Sequence, residues 1–189
     1  MSHATSMGLD NRKMAFWAFI GSECLLFGSL ISTYLVYKGE SLVGPYPAEI
    51  LNIPVTSLST FDLLASSLWM VLALAAVQRG DMKWAKIWLL GVAIGGLIFL
   101  GFQVYEFSSF VHEGLTLQRN LFGASFFVLT GTHGAHVAVG VVWMLTLWVQ
   151  ALRGQLGPGN AMTVEIAGLY WHFVDVIWIV IFTVVYLIQ

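Results

Sequence analysis

Residues 131–149 read GTHGAHVAVGVVWMLTLWV. No Asp, Glu, Lys or Arg interrupts them, and the uncharged run extends back to Phe122 and on to Leu152. A helix needs roughly 20 mostly apolar residues to cross the hydrocarbon core of a bilayer. This run is long enough. It also contains two imidazoles, His133 and His136, at a spacing that puts both on one helix face. The first property decides the fold, and the second raises the question of what these histidines do at membrane depth.

The rest of the chain has the same character. Hydrophobic residues make up 58% of the 189 residues and charged ones 10%, against roughly 25% charged in a soluble domain. So few charges cannot cover a water-facing surface, so lipid is the expected solvent. The formal charge of −2 implies nothing about nucleic acid, and without a basic patch no nucleic-acid partner is expected. Cys24 is the single cysteine, which excludes an internal disulfide. Several of the 8 Trp lie near the ends of apolar runs, as expected for interfacial anchors.

Five spans are predicted, at about 16–37, 58–78, 83–107, 122–152 and 167–187, within one membrane domain covering 1–189. The second span is expected to start at a Ser59 or Thr60 N-cap, with Asp62 in its first turn. The linker before it, 38–57, holds Pro45, Pro47 and Pro54, which suits a loop. The first span has too long an apolar core for a signal peptide, and no small-residue cleavage site follows it. Arg12, Lys13, Arg79, Lys83, Lys86 and Arg153 fall on the side of the N-terminus, and Lys38 and Arg119 on the other. That bias places the N-terminus inside and the C-terminus outside. The predicted fold is therefore all-α: a polytopic bundle of five transmembrane helices.

Small residues suggest where helices touch. Gly91 and Gly95 form a G-x-x-x-G in the third span, followed by Gly96 and Gly101, and the fourth carries Gly131, Gly134, Ala138 and Gly140. Such positions let backbones approach in lipid, so close packing involving these two helices is expected.

The ionisable residues within the spans are Glu23, Glu106, His133, His136, His172 and Asp175. Such groups are expensive in lipid and face the protein interior. With a rise of ~1.5 Å per residue, the predicted span centres put His136 near the midplane. Glu23 and Asp175 then lie ~5 Å, and His172 ~9 Å, toward the inside. A di-iron site needs Glu-x-x-His on two helices, and none occurs in this chain. A thiolate metal site needs more than one Cys, while a site made of His133, His136 and Glu23 stays geometrically possible. A haem needs axial histidines at one level, which the expected offset of His172 opposes. What remains is polar packing. His136 is near enough in depth to bond Glu23 or Asp175, and His172 can pair with Asp175 along its own helix. The sharper alternative is that Glu23 exchanges a proton.

Four stretches carry a family resemblance. LFGASFFVLTGTHGAHVAVGVVWM (121–144) and EIAGLYWHFVDVIWIVIFTVVYL (165–187) resemble the last two helices of subunit III of the haem–copper terminal oxidases. FWAFIGSECLLFG (16–28) is similar to that family's helix with a buried carboxylate after a Ser, and QVYEF (103–107) to its Tyr-Glu helix end. The resemblance runs from about Lys13 to the C-terminus and implies the bacterial five-helix form, without the first two of the seven mitochondrial spans.

The resemblance further implies a non-catalytic subunit of a proton-pumping oxidase in a bacterial plasma membrane. It would pack on subunit I, with subunit II and a small subunit IV as further partners. It would keep proton uptake fast and protect the oxidase from turnover inactivation. It carries no haem, copper or other metal and no catalytic residue, since haem and copper sit on partner subunits; bound phospholipid is implied. Glu23 matches the family's carbodiimide-reactive carboxylate. His133, His136, Trp171, His172 and Asp175 match motif positions with a mainly structural role. Trp178, Gly131 and Gly134 fall in the same packing motifs. Cytochrome c ranks first as electron donor, a quinol second, and a nitric-oxide-reductase association third. A small proton-coupled transporter using Glu23 and Asp175 is the reading from a different class.

Overall fold

A computed structural model describes residues 10–41, 44, 51 and 53–188. It is all-helical, with five helices long and apolar enough to cross a membrane: α1 (Asn11–Tyr37), α2 (Ile53–Gln78), α3 (Met82–His112), α4 (Leu121–Leu152) and α5 (Ala161–Phe182). A 3-10 turn, Pro158–Asn160, leads into α5, and a π-helical turn, Thr183–Leu187, extends it.

The helix ends follow from local chemistry. Asp10, Asp81 and Asn120 each accept a backbone N–H of the first turn, from Arg12, Trp84 and Gly123, which satisfies donors that have no intrahelical partner. α2 stops at Gly80, where φ is +77°. Asp81 N donates to Ala76 O and Gly80 N to Val77 O, a Schellman closure that needs a left-handed residue and so favours Gly. Gly114 and Gly154 repeat this after α3 and α4.

The helices extend beyond the predicted spans. α2 differs most in its consequences, because it begins at Ile53 rather than near Leu58. Pro54 falls in its first turn, where a missing N–H is harmless. Ser59 and Thr60 are therefore interior, and their hydroxyls bond back to Thr56 O at 2.9 and 2.7 Å instead of capping. Asp62 consequently lies beyond the first turn. Pro45 and Pro47 lie outside the described residues.

The longer spans also shift the depths. α1 now centres next to Glu23, α4 centres on His136, and the span 158–187 centres between His172 and Asp175. The offsets expected from the shorter spans are largely removed, and with them the depth argument against His172.

α5 is the axis of the bundle and packs on α1, α2 and α4. Half of its most apolar window is buried, against 6% for α1. Trp171, fully buried, is the centre of this packing. A Cβ on Gly96 of α3 would come within 2.6 Å of its ring, and one on Gly140 of α4 within 2.7 Å. Its Nε1 donates to Ser66 Oγ of α2 at 3.0 Å. Glycine thus serves α3 and α4 as expected, but through the indole of a third helix. Gly91 and Gly95 instead face Trp69 and Ser66 of α2. A methyl group added at Gly101 or Gly131 would meet no neighbour within 4 Å, so neither glycine is a close contact between helices of this chain.

Candidate functional site

The polar residues of the spans form several small ties between helices. At the centre, His136 Nε2 meets Glu23 Oε2 at 3.1 Å, joining α4 to α1. His136 Nδ1 lies 2.8 Å from Thr132 O. A carbonyl only accepts, so Nδ1 carries a hydrogen. One further proton is then shared between Nε2 and Oε2. Whichever atom holds it, the pair is neutral overall, as a low-dielectric site demands. Tyr170 OH of α5 donates to His136 O at 2.9 Å, so three helices meet there.

His133 is different. It is fully buried, and among the described residues neither ring nitrogen has a hydrogen-bond partner. Its ring stacks on Trp178 of α5, with centroids 4.9 Å apart and planes at 24°, and meets the edges of Phe99 and Phe27. The two histidines on one face therefore join helices by different means: one by a polar pair, the other by aromatic packing.

Asp175 is buried with Ser67 of α2 as a polar neighbour, and among the described residues neither carboxyl oxygen meets a partner in full hydrogen-bond geometry. The expected pairing with His172 does not form. His172 Nδ1 lies 2.5 Å from Ser67 Oγ of α2, because the ring is turned toward that helix rather than along its own. Thr60 Oγ1 likewise accepts from Trp178 Nε1 at 2.9 Å. With Ser66 and Trp171, these contacts form a hydroxyl seam between α2 and α5. Sequence reasoning missed this seam. Its signal was Thr60, Ser66 and Ser67 spaced along an otherwise apolar run, facing Trp171, His172 and Trp178.

Glu106 is also buried. It lies within α3, which continues to His112, and it accepts from Thr56 of α2. Tyr186 OH, in the turn after α5, lies 3.5 Å from its other oxygen. One turn earlier, Gln103 Nε2 donates to Thr130 O of α4 at 2.7 Å, and its amide fills the space left by Gly134. Gly134 is a packing position for that reason.

Further polar ties hold the two ends of α1 among the described residues. Lys13 pairs with Glu165 at the N-terminal end of α5, and Lys38 Nζ donates to Ile188 O, 2.6 Å away, at the other. Beside the Glu23–His136 pair, α1 and α4 diverge into a groove of about 550 Å³ walled by Phe16, Phe19, Trp143 and Tyr170. Among the described residues, no three His, Cys, Asp or Glu side chains gather as a metal site.

These ties explain how the helices hold together. The sequence motifs that create them match a known family: the sequence profile described as cytochrome c oxidase subunit III covers residues 2–189. The chain belongs to the cytochrome c oxidase subunit III family. It is similar to cytochrome c oxidase subunit 3 of Bacillus sp. (strain PS3), 42% identical over 94% of this chain and 86% of the relative. It is also similar to a probable quinol oxidase subunit 3 of Staphylococcus saprophyticus, 41% identical over 93% of this chain and 88% of the relative. A probable quinol oxidase subunit 3 of Staphylococcus haemolyticus is 38% identical and aligns with all of this chain and 97% of its own length. This subunit III is thus part of a haem–copper oxidase of the cytochrome c or quinol type, a multi-pass membrane protein associated with other oxidase subunits. Family membership sets the transporter reading aside.

Proposed function

We propose that the chain is the non-catalytic subunit III of a proton-pumping cytochrome c oxidase, that it stabilises subunit I and supports its proton uptake, and that it contacts subunit II and a small subunit IV as well. It sits in a bacterial plasma membrane with its N-terminus inside. Haem and copper belong to the partner subunits. The observation that supports this reading is the use made of the polar interior. Glu23, His136, Glu106 and His172 each engage a partner on another helix, which is what a scaffold requires.

A phospholipid is part of the proposal. The C-terminal end of α4 carries a groove lined by Val142, Leu145 and Val149 and, toward the helix end, by Gln150, Arg153 and Gln155. Apolar walls suit an acyl chain, and Arg153 at the end of the span suits an anionic headgroup.

The test begins with tagged chain extracted in mild detergent from its native membrane. A reduced-minus-oxidised optical spectrum is recorded on what co-purifies. Haem bands that arrive with larger partner chains, and leave when harsher detergent strips this chain away, are the expected result. A stable, colourless chain without partners would overturn the proposal. Turnover of the intact complex with reduced cytochrome c, compared with a quinol, then identifies the donor. The similarity to probable quinol oxidase subunits makes a quinol the second reading.

A further inference from the structure

The Glu23–His136 pair fastens α1 to α4 with only one of the two carboxyl oxygens. Oε1 of Glu23 makes no hydrogen bond among the described residues. The two side chains keep 15% and 19% of their surface exposed, and both line the groove between α1 and α4. At about 550 Å³, this groove falls in the roughly 300–1,000 Å³ range of small-molecule sites. Its walls are aromatic, and its polar atoms converge on one spot.

Depth restricts what can reach that spot. Glu23 lies 12 residues after the start of α1 and 14 before its end, about 18 and 21 Å along the axis. The hydrocarbon core is only about 15 Å thick on each side of the midplane, so phospholipid headgroups stay well away. An acyl chain reaches this depth but offers no hydrogen-bond donor. A ligand that uses Oε1 must therefore dissolve in the membrane interior and carry a hydrogen-bond donor such as a hydroxyl, and the aromatic walls suit a flat apolar body.

We propose that this groove binds a lipid-soluble hydroxylated aromatic, the chemistry of an isoprenoid quinol head. The hydroxyl donates to Glu23 Oε1, and the ring lies among Phe19, Trp143 and Tyr170. A second apolar groove, of about 250 Å³, runs between Leu30, Thr33, Leu121 and Val128. Its lining continues the first at steps of seven residues, Glu23 to Leu30 on α1 and Val128 to Ala135 on α4, so it lies on the same face and accepts the isoprenoid tail. The proposal concerns binding alone; no electron leaves the ligand here. It does not depend on which donor feeds the oxidase.

The test uses the complex purified from its native membrane and counts bound 2-heptyl-4-hydroxyquinoline N-oxide by equilibrium dialysis. Val139 lines the groove and is 57% exposed, so Val139→Phe fills the site from its open side without touching the pair. The expected result is one probe fewer per complex in Val139→Phe, and at least tenfold weaker binding at that site in Glu23→Leu, at an unchanged ratio of haem to this chain. An unchanged probe count in Val139→Phe overturns the proposal. Displacement of the probe by heptylbenzene as effectively as by unlabelled probe also overturns it, because the groove then takes any apolar chain. If Glu23→Leu fails to assemble, Val139→Phe and the heptylbenzene competition decide the question. A chain without haem partners would fail the proposed function, while probe binding to it would still be counted.

Discussion

Glu23 on α1 and His136 on α4 meet 3.1 Å apart at the midpoints of their helices. The single proton they share makes the pair neutral, and it is the central tie of a helix that otherwise buries little. Only 6% of the most apolar window of α1 is buried. In lipid, where no hydrophobic force drives helices together, such a helix depends on its polar contacts.

Glu23→Gln keeps this tie, because the amide N–H donates to Nε2 of an imidazole already protonated at Nδ1. Assembly is expected to be unchanged, measured as haem recovered per tagged chain. His136→Ala removes the partner and leaves Glu23 alone in the interior. It should destabilise the docking of α1 by about 2 kcal/mol, read as a lower thermal midpoint of the complex.

Gly96→Ala should destabilise the bundle by about 1–3 kcal/mol, because the new methyl would lie 2.5 Å from Val141 and 2.6 Å from Trp171. Gly131→Ala meets nothing within 4 Å and should be neutral. Comparing the two thermal midpoints separates packing glycines from those merely common in membrane helices. Equal midpoints would contradict the position assigned to Trp171.

Ser66→Ala and Trp171→Phe each break the 3.0 Å bond between α2 and α5. In a double-mutant cycle their effects should couple by about 1 kcal/mol. Ser67→Ala with Trp171→Phe, which share no bond, serves as the control. Additivity in the first pair would mean that the seam contributes nothing.

The Lys13–Glu165 pair ties the N-terminal ends of α1 and α5, with each side chain 31% exposed. Solvent screening limits it to roughly 0.5–1 kcal/mol. Lys13→Glu should raise amide exchange at the start of α1, and adding Glu165→Lys should restore protection. Failure of the double variant to restore it would show that the pair does not hold α1.

Much was legible in the sequence because lipid imposes a simple rule. Long uncharged runs of about 20 residues or more must be helices, since only a helix satisfies every backbone group within one segment without water. That rule determined the five spans, and the spacing of the histidines and the motif stretches determined the family. The pairing of Glu23 with His136 was also within reach of depth reasoning. Other features required the tertiary structure. Whether His172 would bond Asp175 or Ser67 depended on how α5 is rotated against α2. Whether Gly96 or Gly131 was the packing glycine depended on where the ring of Trp171 lies. His133 sits among aromatic rings without a hydrogen bond, and nothing in its own helix distinguishes it from His136. Sequence spacing fixes which side chains share a face of one helix; which neighbour that face meets is set by the rotation and packing of all five helices together.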